Sequence, residues 1–254
     1  MEHFDLSGRV AIVTGGNGGI GLGMARGLAR AGAAIVVAAR NADKSAAAVK
    51  ALEALGAKAI AVAVDVTREA SCRRLVEEAA ERLGRLDILV NNAGIALRKP
   101  PQDYSVEEWH RVVDVNLTGA FVCAQAAYPH LVRAGGGKII NIGSMLSIFG
   151  APFAVAYAAS KGGLVQMTKA LATAWAKDNI QVNALLPGWI DTDLTAAARE
   201  QVPGLNETVL KRTPSARWGR PADFEAIAVF LAGPGSAFVT GTAIPVDGGF
   251  SVQI

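Results

Sequence analysis

Two residues with complementary chemistry, Tyr157 and Lys161, stand four positions apart in the stretch YAASK. On a helix this spacing puts both side chains on one face, so the ammonium is expected to lie near the phenol. A neighbouring positive charge favours the phenolate and lowers the pKa of a tyrosine from about 10 toward neutral. The pair is therefore a candidate general acid or base. The alternative is an exposed Tyr/Lys pair of the kind common on helices.

Two further polar residues accompany this pair. Ser144 follows the apolar run KIINIG, at the strand edge where ligands of open α/β sheets bind, and it either holds a substrate carbonyl or simply forms a turn. Asn116 lies within the apolar run VVDVNLTGAF. Asparagine is a poor helix former, so we expect a specific interaction to compensate there, as in a satisfied core asparagine.

A glycine-rich stretch, VTGGNGGIGLG (Val13–Gly23), leads from an apolar run into the helical pattern of Ile20–Ala31. In a dinucleotide-binding turn, bare backbone at this place lets phosphates approach a helix N-terminus. Two templates fit the spacing: Gly16, Gly18 and Gly21 match G-x-G-x-x-G, and Thr14, Gly15, Gly19 and Gly21 match T-G-x-x-x-G-x-G. The spacing does not choose between them, and a purely structural tight turn competes with both.

The elements that must position these residues alternate in type. Stretches with helical spacing, among them Arg68–Leu83 and Ser105–Arg133, separate short apolar runs typical of strands buried on both faces. The runs are Arg9–Thr14, Ala34–Ala39, Ala59–Val64, Leu86–Asn91, Lys138–Gly143, Ile180–Leu186 and Thr242–Asp247. This alternation predicts an α/β fold: one Rossmann-like, doubly wound parallel sheet of about seven strands flanked by helices, in a single domain spanning residues 1–254.

Composition argues against several other classes of protein. The 254 residues carry a net charge of +3, and the basic residues are scattered among acidic ones, which does not indicate nucleic-acid binding. No apolar run approaches the roughly 18 residues of a membrane helix, and the first residues do not resemble a secretory signal. We therefore expect a soluble, cytoplasmic protein with no membrane partner. Cys72 and Cys123 are expected to be free thiols, and the isolated His3, His110 and His130 predict no metal site.

Several motifs follow one another along essentially the whole chain: the glycine stretch, NNAG (Asn91–Gly94), Ser144, YAASK and PGWIDT (Pro187–Thr192). In this order of motifs the chain resembles the short-chain dehydrogenase/reductase family. The resemblance favours the T-G-x-x-x-G-x-G template for the glycine stretch. It implies hydride transfer between a nicotinamide cofactor and a secondary alcohol or ketone.

The resemblance also implies a role for each candidate catalytic residue. Tyr157 is expected to transfer the proton, and Ser144 to hold the substrate oxygen. Lys161 is expected to bind the nicotinamide ribose as well as to act on Tyr157. For Asn116 the resemblance implies a bound water that links Lys161 to solvent, with the satisfied core asparagine as the alternative.

The implied cofactor site combines the glycine loop, the ends of several strands and the Pro-Gly turn. Asp65 is expected near the adenine, with a backbone contact from Val66, although Asp65 is also a plausible helix cap. Asn91 is expected both to brace the sheet and to contact the cofactor. The implied cofactor-binding residues are Thr14, Gly15, Asn17, Gly19, Ile20, Gly21, Arg40, Asp65, Val66, Asn91, Asn92, Ala93, Gly94, Tyr157, Lys161, Pro187, Gly188, Ile190 and Thr192.

The end of the second strand bears on the choice of cofactor. The sequence there is Ala39-Arg40-Asn41, without the acidic residue that accepts hydrogen bonds from the ribose 2′-hydroxyl in NAD sites. The Arg40 guanidinium can pair with a 2′-phosphate, so NADP(H) is favoured and NAD(H) is the alternative. Asn17 and Gly18 stand where NADP-dependent relatives often carry a second basic residue.

Residues 191–218, small and polar, are expected to form a lid over a small-molecule carbonyl or alcohol substrate. The candidate pocket residues are Leu97, Ser144, Leu146, Phe153 and Trp189. The stretches SMLSIFG and AWAKDNIQVNALLPG are most similar to the family branch that contains 2-deoxy-gluconate 3-dehydrogenase and gluconate 5-dehydrogenase, which implies a sugar acid or polyol. A 3-oxoacyl-carrier-protein reductase and a non-catalytic NADP(H)-sensing module are the alternatives.

The resemblance further implies a homotetramer. The expected interface segments are Asn116–Arg133, Tyr157–Lys177 and the C-terminal VDGGFSVQI. These helices carry more apolar residues than one buried face requires, which is typical of an oligomer interface.

Overall fold

The computed structural model describes residues 2–253 and is built around one seven-stranded sheet. All neighbouring strands are parallel, in the order β3-β2-β1-β4-β5-β6-β7. The strands are β1 Val10–Thr14, β2 Ala34–Ala39, β3 Ala59–Ala63, β4 Ile88–Asn91, β5 Gly137–Ile142, β6 Ile180–Pro187 and β7 Ala243–Val246. The predicted fold class is confirmed, and each predicted strand lies within two residues of its observed bounds.

Burial along the strands follows their place in the sheet. Every residue of the central strands β1 and β6 is buried, as their nearly continuous apolar sequences predict. The two edge strands differ, because β3 alternates between buried and exposed positions and β7 is only partly buried. The sheet is thus covered on both faces where the candidate site residues emerge.

Within residues 2–253, nine α-helices connect the strands. They are α1 Gly19–Arg30, α2 Ala42–Glu53, α3 Glu69–Leu83, α4 Val106–Val113, α5 Gly119–Arg133, α6 Val155–Trp175, α7 Asp193–Gln201, α8 Leu205–Arg212 and α9 Glu225–Ala232. Helices α1, α2 and α9 pack in one apolar cluster against one face of the sheet, with Met24, Leu28 and Leu231 fully buried. Helices α3 and α5 contribute to the cluster on the other face, with Leu75 and Leu131 fully buried.

The helical pattern predicted over Ser105–Arg133 is interrupted in the structure. Helix α4 ends at Val113, a π-helical turn spans Asp114–Thr118, and α5 then begins at Gly119. Asn116 lies in the π turn, a local feature of helices that is frequent at functional sites. The hydrophobic spacing continues through the turn, so periodicity alone did not reveal the break.

Strand β1 has β2 on one side and β4 on the other, so successive connections leave it in opposite directions. Such a switch point opens a crevice at the carboxyl ends of the strands, where ligands of doubly wound sheets bind. Within residues 2–253 no helix combines the length and apolarity needed to cross a bilayer. Cys72 and Cys123 are both buried, unpaired thiols.

Candidate active site

Hydrogen bonds join the ends of β1 and β4 at the crevice. Thr14 Oγ1 accepts bonds from the backbone N–H groups of Asn92 and Ala93, at 3.0 and 3.1 Å. The Asn92 amide in turn donates to the carbonyl oxygens of Thr14 and Gly15, at 2.9 and 3.1 Å. The NNAG segment is therefore fixed against the glycine loop, and both lie at the switch point.

Backbone geometry in the glycine loop distinguishes the two sequence templates. Gly15 and Gly19 have φ of +64° and +50°, in the left-handed region that favours glycine. A Cβ at position 21 would overlap the Asn92 amide and the Gly15 carbonyl oxygen. Gly18 is extended at φ −174°, and a Cβ there would meet nothing within 4 Å. The two glycines with positive φ, Gly15 and Gly19, belong only to the T-G-x-x-x-G-x-G template, although a Cβ at Gly16 of the other template would also lie 2.8 Å from the Val13 carbonyl oxygen.

A cavity of about 640 Å³ extends from the glycine loop over the ends of β2 and β3. Its lining includes the sequence candidates Gly15, Asn17, Arg40, Asp65, Val66, Ala93 and Gly94. Asp65 accepts bonds from the hydroxyl and backbone N–H of Thr67, which lower the pKa of its carboxyl, and the charge of Arg40 lowers it further. The Asp65 carboxylate is thus ionised, accepts its hydrogen bonds from Thr67 and lies within the influence of the Arg40 charge.

A second, smaller cavity of about 120 Å³ adjoins the first, and Gly94 lines both cavities. It brings together candidates from distant parts of the chain: Ile20, Asn92, Gly94, Ser144, Tyr157, Lys161, Pro187, Gly188, Ile190 and Thr192. Leu194 and Thr195, in the first turn of α7, form another part of its wall. The two cavities together form one groove along the carboxyl edge of the sheet.

Lys161 is 3% exposed, and its Nζ donates a hydrogen bond to the Ile142 carbonyl oxygen at 2.6 Å. Burial lowers the pKa of this lysine to about 8. Its Nζ lies 5.7 Å from the centroid of the Tyr157 ring, on the same face of α6, as the four-residue spacing predicts.

The pKa of Tyr157 is shifted upward, whereas the sequence predicted a lowered value. Loss of hydration raises the pKa of its phenol above the ordinary value, and the neighbouring Ser144 hydroxyl and the Arg98 guanidinium oppose that rise. The expected lowering of this pKa by Lys161 is not found, because the Lys161 ammonium donates to the Ile142 carbonyl. The phenol is therefore held protonated, in the form that can donate a proton.

Ser144 lies two residues after the end of β5 and caps the short turn Met145–Ser147. Its Oγ accepts a bond from the Leu146 N–H at 3.1 Å, and its hydroxyl lies beside the Tyr157 phenol, where it opposes the rise in the pKa of that group. Ser147 accepts a bond from the Ser144 N–H at 3.1 Å and donates to the Lys161 carbonyl at 2.9 Å. The serine is thus positioned from both α6 and its own turn.

Two buried asparagines brace the site. The Asn116 side chain accepts a bond from Ile95 N–H at 2.8 Å and donates to the Ile95 carbonyl and to Ser160 Oγ, at 3.0 and 3.1 Å. It therefore ties the loop after β4 to α6 through protein contacts. Asn91 donates to Asn141 Oδ1 at 2.9 Å and to the Ala120 carbonyl at 3.2 Å, bracing the sheet as expected. Its own Oδ1 is buried without a partner among the described residues.

Arg98 is a candidate that motif reasoning missed. It is half-buried on the loop after β4, and its guanidinium donates to the Leu194 carbonyl and to Gln201 Oε1, at 3.4 and 3.3 Å. Burial lowers the pKa of Arg98, and its charge acts on Tyr157. The available signal was the basic pair Arg98-Lys99, which begins four positions beyond NNAG. A cation therefore stands between the phenol and α7.

The predicted substrate-pocket residues do not all line the smaller cavity. Ser144 lines the smaller cavity, but Leu97, Leu146, Phe153 and Trp189 do not. Trp189 packs edge-on against Trp218, with ring centroids 5.8 Å apart, and lines a separate cavity of about 150 Å³. Its bulk supports the segment that carries α7 and α8 rather than facing Tyr157.

The groove suits a dinucleotide in shape and in donor groups. Bare glycine backbone meets the N-terminus of α1, where a pyrophosphate is favoured by the helix dipole. Side chains at Gly15 or Gly21 would collide with the NNAG segment, so the backbone can keep this shape only with glycine there. Within residues 2–253 no group of three or more His, Cys, Asp or Glu side chains is arranged to hold a metal ion.

Known proteins with similar sequences or structures were compared with the chain. The family model described as enoyl-(acyl carrier protein) reductase matches residues 15–251. The 2-dehydro-3-deoxy-D-gluconate 5-dehydrogenase of Formosa agariphila is 40% identical over 255 residues, covering 100% of this chain and 97% of the relative.

Two solved structures are similar over nearly all of both chains. A putative short-chain alcohol dehydrogenase from Sinorhizobium meliloti is 44% identical, with a TM-score of 0.96 and coverage of 99% of this chain and 100% of that one. A gluconate 5-dehydrogenase from Burkholderia cenocepacia, in complex with NADP and tartrate, is 41% identical, with a TM-score of 0.94 and coverage of 100% and 99%. By sequence, fold and arrangement of the site, this chain belongs to the short-chain dehydrogenase/reductase family.

Proposed function

We propose that the protein is an NADP(H)-dependent oxidoreductase that interconverts a secondary alcohol and a ketone on a sugar acid. The observation that carries the proposal is the convergence of Ser144, Tyr157 and Lys161 on one small cavity, continuous with the glycine-lined groove. Proteins similar over their whole length include gluconate 5-dehydrogenases and 2-dehydro-3-deoxy-D-gluconate 5-dehydrogenases.

The cofactor, when bound, supplies or accepts the hydride. The residues of the chain handle the substrate oxygen and the proton. Tyr157, with its raised pKa, donates its proton to the ketone oxygen in reduction and recovers it from the alcohol in oxidation. Ser144 directs its hydroxyl proton at the same oxygen. The Ser144 hydroxyl and the Arg98 charge, which oppose the rise in the pKa of Tyr157, stabilise the phenolate that remains after proton transfer.

NADP(H) is the cofactor because of the charge at the end of β2. Arg40 lines the larger cavity, and no acidic residue at Ala39–Asn41 repels a 2′-phosphate. Structural neighbours at 37–41% identity were crystallised with NADP.

The charge and position of Arg98 favour a substrate that carries a negative charge. A guanidinium pairs strongly with a carboxylate, and this one is half-buried beside Tyr157, where hydration screens it less. A substrate with a carboxylate at one end and a carbonyl further along can reach both groups. This arrangement favours a sugar acid over an uncharged polyol.

The test is NADPH consumption with a panel of 5-keto-gluconate, an uncharged ketose and an acetoacetyl thioester. We expect the keto sugar acid to have the highest kcat/KM. Arg98→Ala is expected to raise the KM for the keto acid by about tenfold or more, as loss of a charge-assisted pair costs more than about 1.4 kcal/mol, and to leave that of the ketose unchanged. Arg98→Lys should recover part of the loss. Preference for the thioester favours the 3-oxoacyl-carrier-protein reductase, and NADPH binding without turnover of any ketone favours the sensor; either result contradicts the proposal.

We also propose a homotetramer in which α5, α6 and the C-terminal segment form the contacts, and a lid formed by residues 191–218. Large exposed apolar side chains on α5 support the first, and the contact of Arg98 with α7 supports the second. The single-domain organisation and the cytoplasmic location remain predictions from the sequence. Light scattering of the purified protein measures the number of subunits.

A further inference from the structure

A second cation lines the larger cavity beside Arg40. Lys44, in the first turn of α2, is one of the cavity-lining residues, and its backbone position is fixed because its N–H donates to the Asn41 side chain that caps the helix, at 2.8 Å. The adenosine ribose of a dinucleotide lies where the end of β2 meets the glycine loop. Lys44 therefore stands on the wall that faces a 2′-phosphate.

Asn17, another polar residue on this wall, already has hydrogen-bond partners. The Asn17 side-chain amide donates to the Asn41 carbonyl and to Ser45 Oγ, at 3.5 and 3.3 Å. Asn17 occupies the loop position where NADP-dependent relatives often carry a basic residue, and its amide supplies no charge. The positive charge available to a 2′-phosphate on this wall comes from Arg40 and Lys44.

Both cations have acidic neighbours in the structure. The charge of Arg40 acts on Asp65, and Lys44 Nζ forms an ion pair of 3.1 Å with Asp193 Oδ2. Asp193 is the first residue of α7, so this pair reaches from the cofactor wall to the segment proposed as the lid. The pair is largely exposed, at 62% and 95% for the two side chains, and exposed ion pairs of this kind are weak.

We propose that Lys44 is a determinant of NADP(H) preference and that Asp193 competes with the cofactor's 2′-phosphate for its ammonium. A phosphomonoester near neutral pH carries close to two negative charges, against one on Asp193. The phosphate is thus the stronger partner, and binding of NADP(H) transfers Lys44 from the lid carboxylate to the cofactor. This inference rests on the proposed function, since it assumes a dinucleotide in the groove.

The test measures dissociation constants of NADPH and NADH for the purified, substrate-free protein by titration calorimetry. Lys44→Met is expected to weaken NADPH binding about tenfold and to leave NADH binding within about twofold, because only NADPH carries the phosphate. Asp193→Asn is expected to tighten NADPH binding about threefold, with NADH unchanged, because the competing carboxylate is removed. Lys50→Met, on the same helix but outside the cavity lining, is the matched control and should alter neither constant.

The outcomes separate this inference from the proposed function. If the wild-type protein binds neither dinucleotide, the proposed function fails. If it prefers NADPH but Lys44→Met weakens NADPH and NADH equally or not at all, the role of Lys44 is overturned. If Asp193→Asn weakens NADPH binding, the carboxylate holds Lys44 in place for the phosphate, and the competition is overturned.

Discussion

At the scale of single residues, the candidate site contains a buried charge that lowers the stability of the folded protein. Lys161 is a buried amine whose pKa is lowered to about 8 from 10.5, a difference that corresponds to about 3 kcal/mol of cost for its charged form. The folded protein binds fewer protons than the unfolded chain between these two values. The cost is therefore fully present below pH 8 and is relieved as the pH rises toward 10.5.

Lys161→Met tests this cost. Methionine fills a similar volume without charge, although the Ile142 carbonyl loses its donor, so we expect a net gain of about 1 to 2 kcal/mol in the free energy of unfolding at pH 7. The gain should shrink toward pH 10, and turnover should be lost. Urea unfolding of both proteins at the two pH values measures it. A variant less stable than wild type at pH 7 would contradict the buried cost.

The residues of the site differ in how far the sequence predicts them. Tyr157 and Lys161 share a helix, so a spacing of four suffices to place them together. The charge of Arg98 acts on Tyr157, and its guanidinium bonds to α7, only because of the path of the loop after β4, and local spacing contains no information about that path. The direction of the pKa of Tyr157 depends on hydration in the folded state, which the sequence motif does not specify.

At the scale of elements, the strands were predictable because a buried parallel strand is an almost unbroken apolar run, as in β1 and β6. The π turn between α4 and α5 was not, since the apolar spacing continues through it. The turn matters for the site. It directs the Asn116 amide at Ile95 and Ser160 and so fixes the loop that carries Gly94.

The glycine loop offers a matched pair of substitutions. Gly21→Ala places a methyl group against the Asn92 amide and the Gly15 carbonyl, and we expect a loss of about 2 kcal/mol in the free energy of unfolding from overpacking. Gly18→Ala enters open space on extended backbone and should cost less than about 0.5 kcal/mol. Urea unfolding without cofactor compares them. Equal losses would mean that Gly21 does not hold the loop against NNAG.

At the scale of the whole molecule, the sheet order places the groove at the switch point, and exposed apolar side chains indicate how copies associate. Phe121 and Val132 on α5 are 42% and 41% exposed, and an interval of eleven residues puts them on one face of the helix. Apolar residues grouped in this way are typical of an interface.

Phe121→Asp is expected to break the proposed tetramer into smaller species, because a charge would be buried at the contact. Light scattering at micromolar protein concentration measures the mass. Phe4→Asp, at a residue that is 44% exposed and lies outside the proposed contacts, is the control and should leave the mass unchanged. A Phe121→Asp protein with the wild-type mass would place the interface elsewhere.

The most direct measurement compares NADPH affinity and ketone reduction in the wild-type protein and in Tyr157→Phe. Removing the hydroxyl leaves the ring and the groove in place, so the dissociation constant of NADPH should stay within about twofold. The kcat for the keto sugar acid should fall by about 100-fold or more, as expected when a general acid is lost. Equal turnover by the two proteins would contradict proton transfer by Tyr157, and with it the account of this site.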